Sequence, residues 1–409
     1  MTLGVGGQTQ EAALVALSNM MKGAEEIQRS EYEARVVKLQ ARIREEGLAA
    51  VYVHAGTNLT YFTGTRWHPS ERLVGALIPA SGPPRYLAPA FEEGTVRDFM
   101  EVPALVATWQ EHESPYQLLA DTLTALGIAS PARVGLSEDA PFFLVDGLQQ
   151  LGSGHTFVNA RPAISSLRMR KSAQEIALMQ RAHDMTLAVH RAAASILHEG
   201  ISTLEVEAFI HAAHKGVGAQ GSYFCIVLFG AATAFPHGVK EPQTLKEGDM
   251  VLIDTGCLVH GYMSDITRTH VFGEPTERQR SIWNSEKTAQ AAAFAAAQLG
   301  VPCGEVDAAA RRSLESNGLG PGYNLPGLPH RTGHGIGLDI HEWPYLVASD
   351  RTPLDVGMCF SNEPMICVPG EFGVRHEDHF YMTELGPKWF TQPSLSIDDP
   401  FGIEFSSVG

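Results

Sequence analysis

The chain has 409 residues, 30 Lys and Arg against 46 Asp and Glu, a net charge of −16 and hydrophobic residues at 44% of positions. At roughly 150 residues per domain this is a globular chain with room for two or three domains and a large core, which excludes a short or fibrous protein. The acidic balance and the lack of any basic run exclude nucleic acid and anionic membrane surfaces as natural partners, since both are held by clustered Lys and Arg. Five widely spaced cysteines (Cys225, Cys257, Cys303, Cys359, Cys367) with no Cys-x-x-Cys pair suit a reducing compartment. The first residues lack the basic start and apolar core of a secretory leader, and no stretch approaches the roughly 18 to 20 apolar residues of a membrane span. A cytoplasmic protein is expected.

Along the chain, Ser30-Glu-Tyr-Glu33 reads as a capping box opening a helix that closes at Gly47. Short β-branched runs follow (AAVYVHAG, RLVGALIPASG, ALVATW, ARVGLSED), with a helical SPYQLLADTLTALG among them. This alternation predicts a smaller α/β domain over residues 1–165. Around Asn159 to Lys171 a proline, two serines and four basic residues precede a second capping box, Ser172-Ala-Gln-Glu175, and a long helix to about Glu199. The boundary is placed near Ser165, with a second domain over 166–409.

The second domain repeats itself faintly. Gly200-Ile-Ser-Thr-Leu-Glu205-Val-Glu-Ala208 recurs as Gly300-Val-Pro-Cys-Gly-Glu305-Val-Asp-Ala308, and Leu245-Lys-Glu-Gly248 before VLID recurs as Leu354-Asp-Val-Gly357 before CFSNE. Each half reads helix, helix, then a strand ending in a carboxylate. A duplicated α+β unit with a pseudo-two-fold axis would bring the two strand ends together.

Those strand ends carry the chemistry. Asp254 closes an apolar strand and Asp265 follows eleven positions later, as on a β-hairpin; Glu363 and Glu377 repeat the arrangement fourteen apart across a Pro-Gly turn. Two bare anions side by side in a dry site are unstable, and a shared proton or a cation is the usual remedy. Between the pairs lies Pro329-His330-Arg331-Thr332-Gly333-His334-Gly335-Ile336-Gly337, then Asp339-Ile340-His341-Glu342, with glycines that let backbone pack close beside His334. Two Asp, two Glu and one His form a donor set suited to a pair of divalent ions of the Mn, Co or Zn kind, which bridging carboxylates hold about 3.5 to 4 Å apart.

These motifs resemble the pita-bread metallopeptidases, the superfamily of methionine aminopeptidase, aminopeptidase P and prolidase, and most closely its Xaa-Pro dipeptidase branch. The resemblance covers roughly Ser165 to Pro387, while the preceding region is similar to that family's creatinase-type N-terminal domain. It implies a pita-bread α+β catalytic domain, two divalent ions per subunit with manganese foremost and zinc or cobalt as alternatives, and Asp254, Asp265, His334, Glu363 and Glu377 as ligands, with Asp265 and Glu377 bridging. It implies further that a bridging hydroxide cleaves the Xaa-Pro bond of dipeptides, Glu363 taking the proton of the attacking water. Phe235-Pro236-His237-Gly238 and His341-Glu-Trp-Pro344 are similar to segments whose histidines stabilise the oxyanion and assist the leaving nitrogen, so His237 and His341 are the candidates, and His330 and Arg375 match positions lining the substrate pocket.

Two departures bear on substrate choice. Where many relatives have Glu-Pro-Gly-x-Tyr, this chain has Glu363-Pro364-Met365-Ile366-Cys367, a thiol for a phenol; and where archaeal prolidases place an arginine after His-Glu-Trp-Pro, it has Tyr345. Arg351 or Arg375 could then meet the substrate carboxylate. Without such an arginine longer Xaa-Pro peptides would be accepted, which makes aminopeptidase P activity the alternative; a non-catalytic binding module and a metal-free creatinase-like hydrolase are alternatives of other kinds. The resemblance also implies a homodimer in which Arg66, Trp67 and His68 cap the neighbouring subunit's pocket.

Overall fold

The computed structural model describes residues 2–403 and divides into two compact units. One runs from Ile27 to Arg168; the other comprises the chain from Met169 onward together with the stretch before Ile27. Sequence grouping put that N-terminal stretch with the first domain. Instead Gly6 N donates to Ala194 O and Met20 N to Val217 O, both at 2.8 Å, which ties it to the larger unit.

The smaller unit opens with the Arg29–Glu45 helix, which buries Tyr32, Val36, Leu39 and Ile43 at helical spacing. Its start corrects the expected capping box. The N-cap is Gln28, with no side-chain cap bond, and Glu33 is drawn away into an ion pair with Arg29 at 2.9 Å. Behind it lies a six-stranded mixed sheet in the order 105–109, 85–89, 75–79, 50–54, 133–136, 156–159. The central Ala50–His54 strand is buried at every residue because both sheet faces are covered. Tyr52, Leu77, Leu119, Leu123, Val134 and Leu144 form the core between the sheet and the Pro115–Ala125 and Phe142–Leu151 helices.

In the larger unit the two halves of the faint repeat share a frame of helices and pinned turns. Both reciprocal bonds of a capping box are present at Ser172 and Glu175, at Ser202 and Glu205, and at Thr276 and Gln279, heading the helices Ala173–Ser195, Thr203–Gly216 and Glu277–Ala296. Gly200 N donates to Leu245 O at 2.9 Å and Leu245 N to Ile201 O at 2.9 Å; one repeat on, Gly300 N donates to Leu354 O at 2.8 Å and Leu354 N to Val301 O at 2.9 Å. These bonds anchor the turn that launches each carboxylate-bearing strand.

The strands form two antiparallel sheets. One has the order 266–271, 250–256, 224–229; the other runs 342–346, 333–335, 359–362, 378–383, 386–389. A hairpin of Met365–Val368 and Phe372–Arg375 is inserted in the second half. The halves meet where Glu377 N donates to Thr267 O at 3.1 Å and the Thr269 hydroxyl bridges to Arg375 O and N at 2.6 and 3.1 Å. Buried Trp283, Leu252, Val271, Phe360, Val374 and Phe380 pack around this seam. No helix among the described residues is long and apolar enough to cross a membrane.

Candidate active site

The seam collects the acids. Asp254 lies near the end of the Met250–Gly256 strand opposite Thr267, and Asp265 stands immediately before the Ile266–Val271 strand. A Cβ on Gly256 would sit 1.9 Å from Ser264 O, so only glycine lets the returning segment come close enough to set Asp265 beside Asp254. Glu363 follows the Cys359–Asn362 strand and Glu377 precedes the Asp378–Thr383 strand. His334 occupies the middle of Gly333–Gly335, where a Cβ on Gly333 would meet Ser361 O at 2.1 Å. That closeness lets His334 N bond to Ser361 Oγ at 2.8 Å and aims the imidazole at the acids. His334 Nε2 is 3.1 Å from Glu363 Oε1, 3.7 Å from Asp265 Oδ2 and 3.9 Å from Glu377 Oε1.

Arg375 closes the other side, with Nη2 2.6 Å from Asp254 Oδ2 and Nε donating to Thr267 Oγ1 at 3.0 Å; the Thr267 hydroxyl donates in turn to Glu377 Oε2 at 2.7 Å. Burial, then the charges of Glu377 and Asp254, hold the Asp265 carboxyl well above the usual carboxylate range. Burial and the charges of Glu363 and Asp254 do the same to Glu377. Asp254 is raised by burial, with Arg375 working against it. Burial also pushes Glu363 upward, but its hydrogen bond from His334 and that ring's charge outweigh burial, leaving it below the usual range.

This is a cluster with too much negative charge for its burial. Asp254 Oδ1, Asp265 Oδ1 and Glu377 Oε1 are buried without a hydrogen-bond partner. Orphaned carboxylate oxygens facing an imidazole are what a divalent cation satisfies, so the residues fit a metal centre. Donor atoms of Asp265, His334, Glu377 and His379 lie within 4.8 Å of one another. His379 was missed from sequence. Neither of its ring nitrogens has a partner, and burial holds its pKa well down. A signal did exist, because alternation along a strand puts residue 379 on the same face as 377.

Above the acids is a pocket of about 540 Å³ lined by Asp254, Asp265, His334, Glu363 and Glu377, by His237, His330, His341, Arg331 and Arg375, and by the apolar Phe224, Ile226, Pro236, Pro329 and Ile340. His341 packs edge-on to His334 with centroids 4.1 Å apart, and burial, then the charges of His334 and Arg331, push its pKa down to about 4. Tyr345 lies outside the lining, but its ring supports the Arg331 guanidinium at 4.3 Å. The structure does not bring Arg351 into the pocket: it is exposed, just past the turn that follows the Glu342–Leu346 strand. Arg331, a pocket residue inside a motif already singled out, was overlooked. Trp67 and His68 belong to the smaller unit, where Trp67 stands edge-on to Phe99 at 6.0 Å.

Comparison with known proteins decides the family. Residues 177–384 match metallopeptidase family M24 and residues 35–170 match the creatinase/prolidase N-terminal domain. The chain belongs to metallopeptidase family M24. It is 33% identical over 359 residues to the putative dipeptidase YkvY of Bacillus subtilis, covering 88% of this chain and 97% of the relative. It is 32% identical over 365 residues to the Xaa-Pro dipeptidase of Pyrococcus furiosus, covering 89% and 99%. The crystal structure of dipeptidase PepE from Mycobacterium ulcerans superposes with a TM-score of 0.83 at 34% identity, covering 90% of this chain and 97% of that one. The larger unit is thus the family's pita-bread domain, the smaller one is its creatinase-type N-terminal domain, and the protein is a metallopeptidase.

Proposed function

We propose that this M24 enzyme is an Xaa-Pro dipeptidase that works with two divalent ions, manganese foremost and zinc or cobalt as alternatives, which Asp254, Asp265, His334, Glu363 and Glu377 would hold. The observation that carries this is the set of mutually repelling buried carboxylates facing His334 at the floor of the pocket, three of which, Asp254, Asp265 and Glu377, each keep one oxygen without a hydrogen-bond partner. Relatives named dipeptidase and Xaa-Pro dipeptidase over nearly their whole length support the substrate class. When bound, the ions lower the pKa of water and polarise the substrate carbonyl.

The side chains then divide the remaining work. Glu363, whose Oε1 accepts from the Ser361 hydroxyl at 3.1 Å, would accept the proton of the attacking water and return it to the leaving nitrogen. His341, neutral at physiological pH, donates a hydrogen bond to the developing oxyanion, and His237 lines the same pocket from the opposite segment. The apolar wall of Phe224, Ile226, Pro236 and Ile340 receives the proline ring, whose tertiary amide has no N–H to satisfy. A cytoplasmic homodimer is part of the same proposal.

Tyr345 in place of an arginine favours one rival, aminopeptidase P activity. Purified protein is chelated, resupplied with manganese and offered Ala-Pro beside Ala-Pro-Ala, with products separated by chromatography. Manganese-dependent cleavage of the dipeptide alone is expected. Cleavage mainly of the tripeptide would assign aminopeptidase P, and full activity in the chelated protein would overturn the metal mechanism.

A further inference from the structure

The pocket lining contains two arginines. Arg375 is committed: its nitrogens serve Asp254, Thr267 and the Pro236 carbonyl. Arg331 is half-buried, and among the described residues its guanidinium meets no carboxylate; what it meets is the face of Tyr345, 4.3 Å away. A guanidinium laid over an aromatic face keeps its planar fork of donors exposed at the edge, the arrangement suited to bidentate recognition of a carboxylate.

The backbone around Arg331 is held with unusual care. On one side Arg311 Nη2 donates to His330 O at 2.6 Å; on the other, Thr332 N and Oγ1 both donate to Asp307 Oδ1, at 3.1 and 2.8 Å. Arg311 and Asp307 are themselves a buried pair, 2.9 Å apart, one turn apart on the Cys303–Ser316 helix. A single ion pair therefore clamps both neighbours of Arg331, and a receptor so placed loses little freedom when a ligand arrives. Arg331 and His341 line the same pocket, and His341 packs edge-on against His334 with centroids 4.1 Å apart. In an Xaa-Pro dipeptide only one carbon separates the leaving nitrogen from the carboxylate carbon. The group that receives the carboxylate must therefore neighbour the groups that handle the scissile amide.

We infer that Arg331, seated on Tyr345, binds the free C-terminal carboxylate of the dipeptide and sets the preference for dipeptides over longer chains. The Arg331–Tyr345 pair thus supplies the cation that the position after His-Glu-Trp-Pro lacks. This rests on the dipeptidase function proposed above.

The test compares wild type, Arg331→Met and Arg331→Lys, each manganese-loaded with its metal content measured, on Ala-Pro and on Ala-Pro-amide, which has no carboxylate. With Arg331→Met, kcat/KM for Ala-Pro should fall about 10- to 100-fold, mostly through KM, the scale of one charged hydrogen-bonded contact. Cleavage of the amide should fall far less than that of Ala-Pro, and Arg331→Lys should restore part of the loss, since an ammonium keeps the charge without the fork. An equal fall on both substrates, or an unchanged ratio between them, would overturn the assignment while leaving the dipeptidase function intact. A wild-type enzyme that prefers the amide or cleaves both equally would overturn it too. If wild type cleaves neither, the proposed function itself fails, and the role of Arg331 with it.

Discussion

The two halves of the catalytic unit share a hydrogen-bond frame and differ in almost every side chain that matters. In each, a helix-entry turn is pinned to the turn before a strand, by Gly200, Ile201 and Leu245 in the first half and Gly300, Val301 and Leu354 in the second. The first half then places the short carboxylates Asp254 and Asp265, whereas the second places the longer Glu363 and Glu377, adds His334, and inserts the hairpin that carries Arg375. Arg375 reaches back across the seam to Asp254. Duplication thus supplies a common backbone, and the site arises because the copies diverged into unlike, mutually compensating charges.

The comparison breaks most severely if a carboxylate at the centre of the seam is removed. Asp265→Ala or Glu377→Ala should reduce turnover to background and bound manganese to near zero, while far-UV circular dichroism stays as in wild type, because relieving like-charge repulsion costs the metal-free fold nothing. Turnover retained by either variant would remove those residues from the centre. His341→Ala should act on one side only, lowering kcat by about 10²- to 10⁴-fold with metal content unchanged. Loss of metal in that variant would make His341 a ligand. Arg375→Met tests the link between halves. In chelated protein it should cost about 3–5 kcal/mol in denaturant unfolding, as expected for an abandoned buried carboxylate, and less with manganese present, since the metal then offsets the Asp254 charge.

The smallest effect concerns protons. Burial and neighbouring carboxylates raise the pKa values of Asp265 and Glu377 well above the usual range in the metal-free fold, so these acids hold their protons to higher pH than ordinary carboxyls, and a cation competes with those protons. Manganese binding should therefore release protons, the more so as pH is lowered, and affinity should fall as pH falls. Calorimetry in buffers of different ionisation enthalpy checks this. A binding heat independent of buffer would show that the acids are already ionised.

Much of this frame is legible in the sequence because its signals are local. Capping boxes at Ser172 and Ser202 depend on a hydroxyl and a carboxylate three residues apart, and both form. The one at Ser30 does not, because the helix starts at Arg29 and leaves Ser30 inside its first turn instead of at the cap. Apolar strands ending in Asp254 and Glu363 are equally local, and the fold sets both residues in one pocket with Asp265, His334 and Glu377. His379, two residues past Glu377, and Arg331, inside the His330–Gly337 motif, lie beside marked residues, but what their side chains meet comes from segments elsewhere in the chain, which no local pattern shows.

Composition, strand patterning and the ordered series of acids and histidine determined by themselves the globular class, the two domain types and the family, since these rest on interactions within a few residues or on a pattern carried by residue identity. Only the tertiary structure decided which arginine is already neutralised and which is open to a ligand. Arg375 and Arg331 are alike as letters. Their difference arises because one folds against Asp254, 121 positions away, and the other onto Tyr345, whose ring cannot cancel a charge.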